Sequence, residues 1–355
     1  MDPITLGIIG ISALLGGFGV KKGIDANESS KSAQKKNESA QEIFKTAKSS
    51  MEKAKTRTTK TLSSLGELKL NIWANQVGNF ATSFERLKDV EITGDAAVGE
   101  LKNIQEAILE MKDISFKAKE LTSGGAAALG AGALVGVASY GGAMLLASAS
   151  TGTAIAALSG AAATNATLAW FGGGSLAAGG LGMSGGIAVL GGVVAGPVLA
   201  VGGIFMDAQA RKKLAAAKKN LSEAKKAAAE MKNAEVLLDG IKSVGDLFTT
   251  AIKGVCSRFD KAQLEFERIL ESYDNAKLHR RLLNPLIHKL LKRPTKISYK
   301  KLQQVEKEHI HLLLMIVQVL KGLLEAPLLT EEGGLDSDYQ KALNSGNEFL
   351  EAHVN

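Results

Sequence analysis

Hydrophobic and polar positions along this chain fall into distinct regimes. Between Glu28 and Leu87, Ala33, Ala40, Ala47 and Ala54 stand seven apart, with Phe44, Met51 and Thr58 four residues after the later three. The series continues through Leu65, Leu68 and Ile72. This is a heptad stripe with a small residue at one seam position and a larger one at the other. It predicts a helix of roughly 60 residues, about 90 Å long. Its second part changes face, because Trp73, Val77, Phe80, Phe84 and Leu87 form a new stripe at helical spacing. Thr93-Gly94-Asp95 predicts a break. A shorter amphipathic helix follows, with Val98, Leu101, Ile104, Ile108, Met111 and Ile114 on one face.

The pattern then changes character. From Leu121 to Met206 there is no Asp, Glu, Lys, Arg or His. Gly and Ala dominate, with Leu, Ile and Val between them. A soluble core helix of such length would carry a charged face. This stretch is long enough for two or three bilayer crossings of about 20 residues each. Small residues four apart let helices in lipid approach closely. Gly132 and Gly136, Ser148 and Gly152, Gly182 and Gly186, and Gly192 and Gly196 have that spacing. Three helical pieces are predicted, over residues 126–147, 153–171 and 176–206. The last is divided near Gly185-Gly186 and bent at Pro197, whose ring removes a backbone hydrogen bond. A second apolar run, Ile4 to Val20, lies near the N-terminus. It lacks the basic start and the cleavage site of a signal peptide, and Lys21-Lys22 follow it, so it reads as a retained segment.

Beyond the charge-free stretch a second arm mirrors the first. Leu214, Ala217, Leu221, Ala224, Ala228, Met231 and Leu238 recur three and four apart, and lysines take the outer positions. Leu247, Ile252, Val255, Phe259, Leu264, Phe266 and Ile269 continue the pattern less strictly. These elements predict an all-α protein: a long antiparallel, coiled-coil-like stalk with a Gly/Ala-rich apolar hairpin as its head. The segments are 1–22 (apolar), 23–120 (first arm), 121–206 (head), 207–272 (second arm) and 273–355 (basic helical region). Leu312 to Leu324 forms another apolar helix, bounded by Lys321 and short for a crossing. From Thr330 the chain turns acidic and predicts a short surface helix.

Composition sharpens the picture in three places. Aromatic residues are 5% of the 355, too few for an all-β core. The net charge is +7, which suits an anionic membrane surface or nucleic acid equally, so its sign alone does not choose between them. Its focus is a stretch without acidic residues between Asp274 and Glu306, holding Arg280, Arg281, Lys289, Lys292, Arg293 and Lys296 among leucines at helical spacing. A basic helix with a leucine face is what an anionic lipid surface attracts, and it fits equally a helix docked on the bundle with its basic side in water. Cys256 is the lone cysteine, so neither a disulfide framework nor a cysteine metal site is encoded.

Candidate chemistry is sparse. Gly180-x-Gly182-x-x-Gly185 matches a dinucleotide fingerprint in letters but lacks the strand and the βαβ context that give it meaning. Glu306 and His309 form half of a di-iron bundle motif, and the other half is missing. No nucleic-acid recognition module accompanies the basic stretch. The expectation is therefore a protein that is not an enzyme, with no cofactor and no metal. Its partners would be an anionic lipid membrane, further copies of itself and a protein engaged through the helical arms, but not nucleic acid. The expected location is a bacterial inner membrane, or a cytoplasmic form that converts to a membrane-bound one.

The run from Thr151 to Trp170, followed by Phe171-Gly-Gly-Gly-Ser-Leu-Ala-Ala-Gly-Gly180, resembles a glycine-rich signature of uncharacterised bacterial glycine-zipper membrane proteins. That likeness covers about the middle third of the chain and brings no activity with it. The layout, an apolar hairpin between long helices, is similar to that of α-helical pore-forming toxins and of apolipoprotein L proteins. The likeness of layout implies a pore or another disturbance of a membrane. The apolar N-terminus departs from that layout. Two other readings fit the same residues: a membrane-anchored coiled-coil scaffold, and a soluble helical bundle with a buried hairpin.

Overall fold

The computed structural model describes residues 23–90, 104–123, 130–140, 213–280, 296–329 and 335–352. The protein is all-α. The helices are α1 (Gly23–Asn71), α2 (Gly78–Phe84), α3 (Ile104–Ser123), α4 (Gly130–Tyr140), α5 (Lys213–Arg280), α6 (Gln304–Glu325) and α7 (Tyr339–Ala352). Two short strands, β1 (Leu87–Lys88) and β2 (Ile297–Ser298), pair in parallel. The chain divides into two compact units. The described part of the first is 23–57 and 213–240. The second holds the described residues of 58–190 and 241–355.

The first unit is a pair of helical segments with an alanine seam. Ala33, Ala40 and Ala54 of α1 and Ala217, Ala224, Ala227 and Ala234 of α5 are buried. Met51 and Met231 fill the wider gaps, and Phe44, Ala47 and Leu238 pack against the same cluster. The Asn220 amide donates to Asn37 at 3.3 Å, and Arg57 meets Asp239 at 3.0 Å. Partner numbers rise together, so the two segments run in the same direction. The sequence pattern predicts the opposite direction, and the difference has a physical origin. A seam of Ala with Met and Leu packs equally well in either sense. The chain between the two arms is also long enough to return to its starting end.

In the second unit the end of α1, together with α2 and the turn after it, again runs in the same direction as α5. Thr61 and Asp246 lie 3.5 Å apart, Gln263 and Ser83 3.5 Å, and Arg86 and Asp274 2.6 Å. Ile241, Phe248 and Val255 of α5 stand seven apart, as do Ile252, Phe259 and Phe266, and all are buried. Leu247 and Leu264, expected in the same stripe, are 53% and 52% exposed. The expected change of face on the first arm has a structural cause. Between α1 and α2 the helix widens into a π turn over Ile72–Val77. Such a turn accommodates one extra residue and rotates the buried face. Trp73, Val77, Phe80 and Phe84 then point inward. The Phe80 ring lies 5.4 Å from Phe84 and 6.4 Å from Phe259, and Phe84 lies 6.3 Å from Phe266. α3 packs across this region through Ile108, Met111 and Ile114. It comes close at Gly78, where a Cβ would overlap the Ser115 hydroxyl.

The apolar helix expected at Leu312–Leu324 is α6, a core helix. Ile310, Leu313, Leu314, Ile316, Val317, Leu320, Leu323 and Leu324 are all buried, whereas none of its first six residues, Gln304 to His309, is. Its start is fixed by a capping box in which the Glu306 carboxylate accepts from the Gln303 N–H at 2.8 Å. The expected surface helix at the C-terminus, α7, buries Leu343, Gly346 and Phe349, with Gly346 against Leu323 of α6.

The direction of the first unit is testable by cross-linking. Cysteines at Asn37 and Asn220 are expected to be joined by a short bismaleimide, whereas cysteines at Asn37 and Asp239 are not. Cys256 stays silent, since burial pushes its thiol up to about 12. Joining of the second pair but not the first would contradict the arrangement.

Candidate functional site

Beyond its first three residues, which end α3, the described part of the charge-free stretch is α4, and the surroundings of α4 form the candidate site. Leu134, Gly136, Val137, Ala138 and Ser139 are buried. Its seat is made by Gly66 of α1. A Cβ on Gly66 would overlap the Leu134 carbonyl oxygen and lie 2.7 Å from the carbonyl carbon. The backbone of α4 therefore rests directly on α1, and only glycine leaves the space. Close approach through a small residue was expected of this stretch, but the glycine that provides it lies on the partner helix.

The far end of α4 is held by hydrogen bonds. A helix leaves its last four carbonyls without partners inside the helix. The Lys69 amine, one turn beyond Gly66, donates to Ala138 O at 3.3 Å and to Ala326 O at 3.3 Å. Ser139 O accepts from the Leu328 N–H at 2.7 Å and from the Leu329 N–H at 3.4 Å. Residues 326–329, just beyond α6, thus act as a backbone cap for α4. A donor at a helix C-terminus also meets the negative end of the helix dipole.

Lys69 is the least expected residue of the core. It is 0% exposed and its Nζ lies 5.4 Å from the centroid of the Phe248 ring. Burial lowers its pKa from 10.5 to about 7, partly offset by the Glu325 carboxylate. Burial in turn raises Glu325, against the pull of Lys321 at 3.0 Å. Lys321 also reaches Glu110 of α3 at 3.7 Å. The Ser139 hydroxyl, next to this centre, is buried without a hydrogen-bond partner among the described residues. The signal for Lys69 in the sequence is its position, four residues after Leu65 and four before Trp73, on a face that is otherwise apolar.

The other expected site residues are placed as follows. Gly132 lies on α4 beside the buried Gly136. Ser148, Gly152, Gly182, Gly186, Gly192 and Gly196 lie outside the described residues. So do Arg281, Lys289, Lys292 and Arg293 of the basic stretch, together with the apolar run 4–20. Arg280 closes α5, and Lys296 is exposed just before β2. Arg86 ties both flanks of that stretch, because its side chain pairs with Asp274 at 2.6 Å and its carbonyl accepts from the Ile297 N–H at 2.7 Å. Glu306 of the half di-iron motif accepts from the Tyr273 hydroxyl at 2.6 Å. Among the described residues no group of His, Cys, Asp and Glu is placed to hold a metal.

Among the described residues no helix is long and apolar enough to cross a membrane. α4 itself has 11 residues. Comparison of the chain with known protein families, curated proteins and solved structures gave no match.

Gly66→Ala tests the seat of α4. The added methyl group is expected to destabilise the second unit by about 1–3 kcal/mol, as overpacking of a tight core does. It would appear as a lowered melting temperature and faster proteolysis around residues 130–140. An unchanged melting temperature would contradict the close approach.

Proposed function

We propose that the chain is a membrane-inserting, oligomerising α-helical protein that forms a pore or otherwise disturbs a membrane, as a toxin or a defence effector does. It carries out no enzymatic step in this reading. The observation that carries it is the stretch Leu121–Met206, which has no charged residue and repeats small residues four apart. Such a stretch satisfies its backbone in lipid as helices and associates through its small residues. Its exposure in water would promote aggregation. The seating of α4 on Gly66 and Lys69 fits a form in which the start of the stretch is kept from solvent. The basic residues between Arg280 and Lys296 supply attraction to an anionic surface.

A second reading is favoured by the burial of α4: a soluble bundle that keeps the stretch covered permanently. One experiment separates the two. The protein is purified without detergent, floated with anionic liposomes and assayed for dye release. Flotation with release is the expected result. Flotation without release would point to a membrane-anchored scaffold, and protein that neither floats nor releases dye would overturn the membrane reading.

A further inference from the structure

We propose that Lys69 is a proton-gated latch on α4: the bundle holds the start of the charge-free stretch while the Lys69 amine is neutral, and releases it when the amine is protonated. The consequence for membranes rests on the proposed function; the latch itself does not.

The geometry suits a neutral amine. A neutral lysine has two N–H groups, and Lys69 has two carbonyl acceptors, Ala138 O on α4 and Ala326 O beyond α6, each at 3.3 Å. A proton adds a third N–H and a full charge in a place closed to water, where charge is strongly disfavoured. The groups facing Lys69 compensate weakly. α6 brings Glu325, which is already engaged by Lys321 at 3.0 Å. α5 brings the uncharged Phe248 ring, and α7 brings Tyr339 behind that ring at 6.4 Å. α4 carries no charged residue. The unpartnered Ser139 hydroxyl adds a second group that gains water when α4 leaves.

The direction of the pH dependence follows. Burial holds Lys69 at about 7 when α4 is docked, against 10.5 for a lysine in water. Between those two values the released form takes up a proton that the docked form does not. Each unit of acidification in that window favours release about tenfold. Below about 7 both forms are protonated and the dependence levels off. Glu325, raised by burial, acts with the opposite sign.

Hydrogen–deuterium exchange of the 130–140 peptides in the full chain, without lipid and corrected for intrinsic exchange rates, tests this between pH 7 and 9.5. The opening constant is expected to fall about tenfold per pH unit in the wild type. Lys69→Met and Lys69→Gln, neither of which titrates, are expected to lose that slope, and one folded variant suffices. A wild type without the slope, or the same slope in a folded variant, overturns the latch. Dye release from anionic liposomes at the same pH values separates the two ideas. A pH-dependent opening without dye release sustains the latch and removes the membrane reading. Dye release with an opening constant indifferent to pH removes the latch and leaves the membrane reading in place.

Discussion

The second unit depends on a lysine placed where water cannot reach it. Charging an amine in a protein interior costs several kcal/mol, and the displacement of Lys69 from 10.5 to about 7 expresses that cost. The surroundings respond with two backbone carbonyls, an aromatic face and a distant carboxylate rather than a direct ion pair. Both carbonyls belong to chain ends that need a donor: the last turn of α4 and the residues following α6. One amine therefore joins α1, α4 and the cap at 326–329. Removing any of these elements would leave the others with unpaired polar groups in an apolar core, which costs about 1–3 kcal/mol for each group.

The two units meet the same problem of helix packing by different means. The first relies on alanine, which allows close approach but buries little area per residue. Its only large buried side chains among the described residues are Met51 and Met231. The second is rich in Phe, Leu and Ile, and it places α6 inside, with apolar residues on most of its surface. That core is large enough to hold a helix with no polar face of its own. α4 requires such a host, since its described side chains are apolar or small and a surface position would expose them.

Much of this was legible in the residues. Heptads and helical stripes placed α1, α3, α5 and α6, and the inward set Trp73, Val77, Phe80 and Phe84 followed from spacing alone. The direction of the arms was not legible, because an alanine seam has no polarity and the chain between the arms permits either sense. Leu247 and Leu264 misled, since a leucine fits a stripe by type while the neighbouring phase, through Gly245, Ile252 and Phe259, is the buried one. Small residues four apart pointed to close packing, yet the contact that can be described comes from Gly66, an isolated glycine in the polar arm. Lys69 was visible only as a lysine in an apolar phase. Lysines in such positions usually extend to solvent, so its burial required the surrounding helices to be known.

The most direct test of this account is the titration of Lys69 itself, by NMR of the full chain with isotope-labelled lysine and the Lys69→Met variant for assignment. One lysine is expected to titrate with a midpoint near 7, and that signal is expected to be absent from the variant. A Lys69 midpoint near 10.5 would place the amine in water and contradict the central role given to it here.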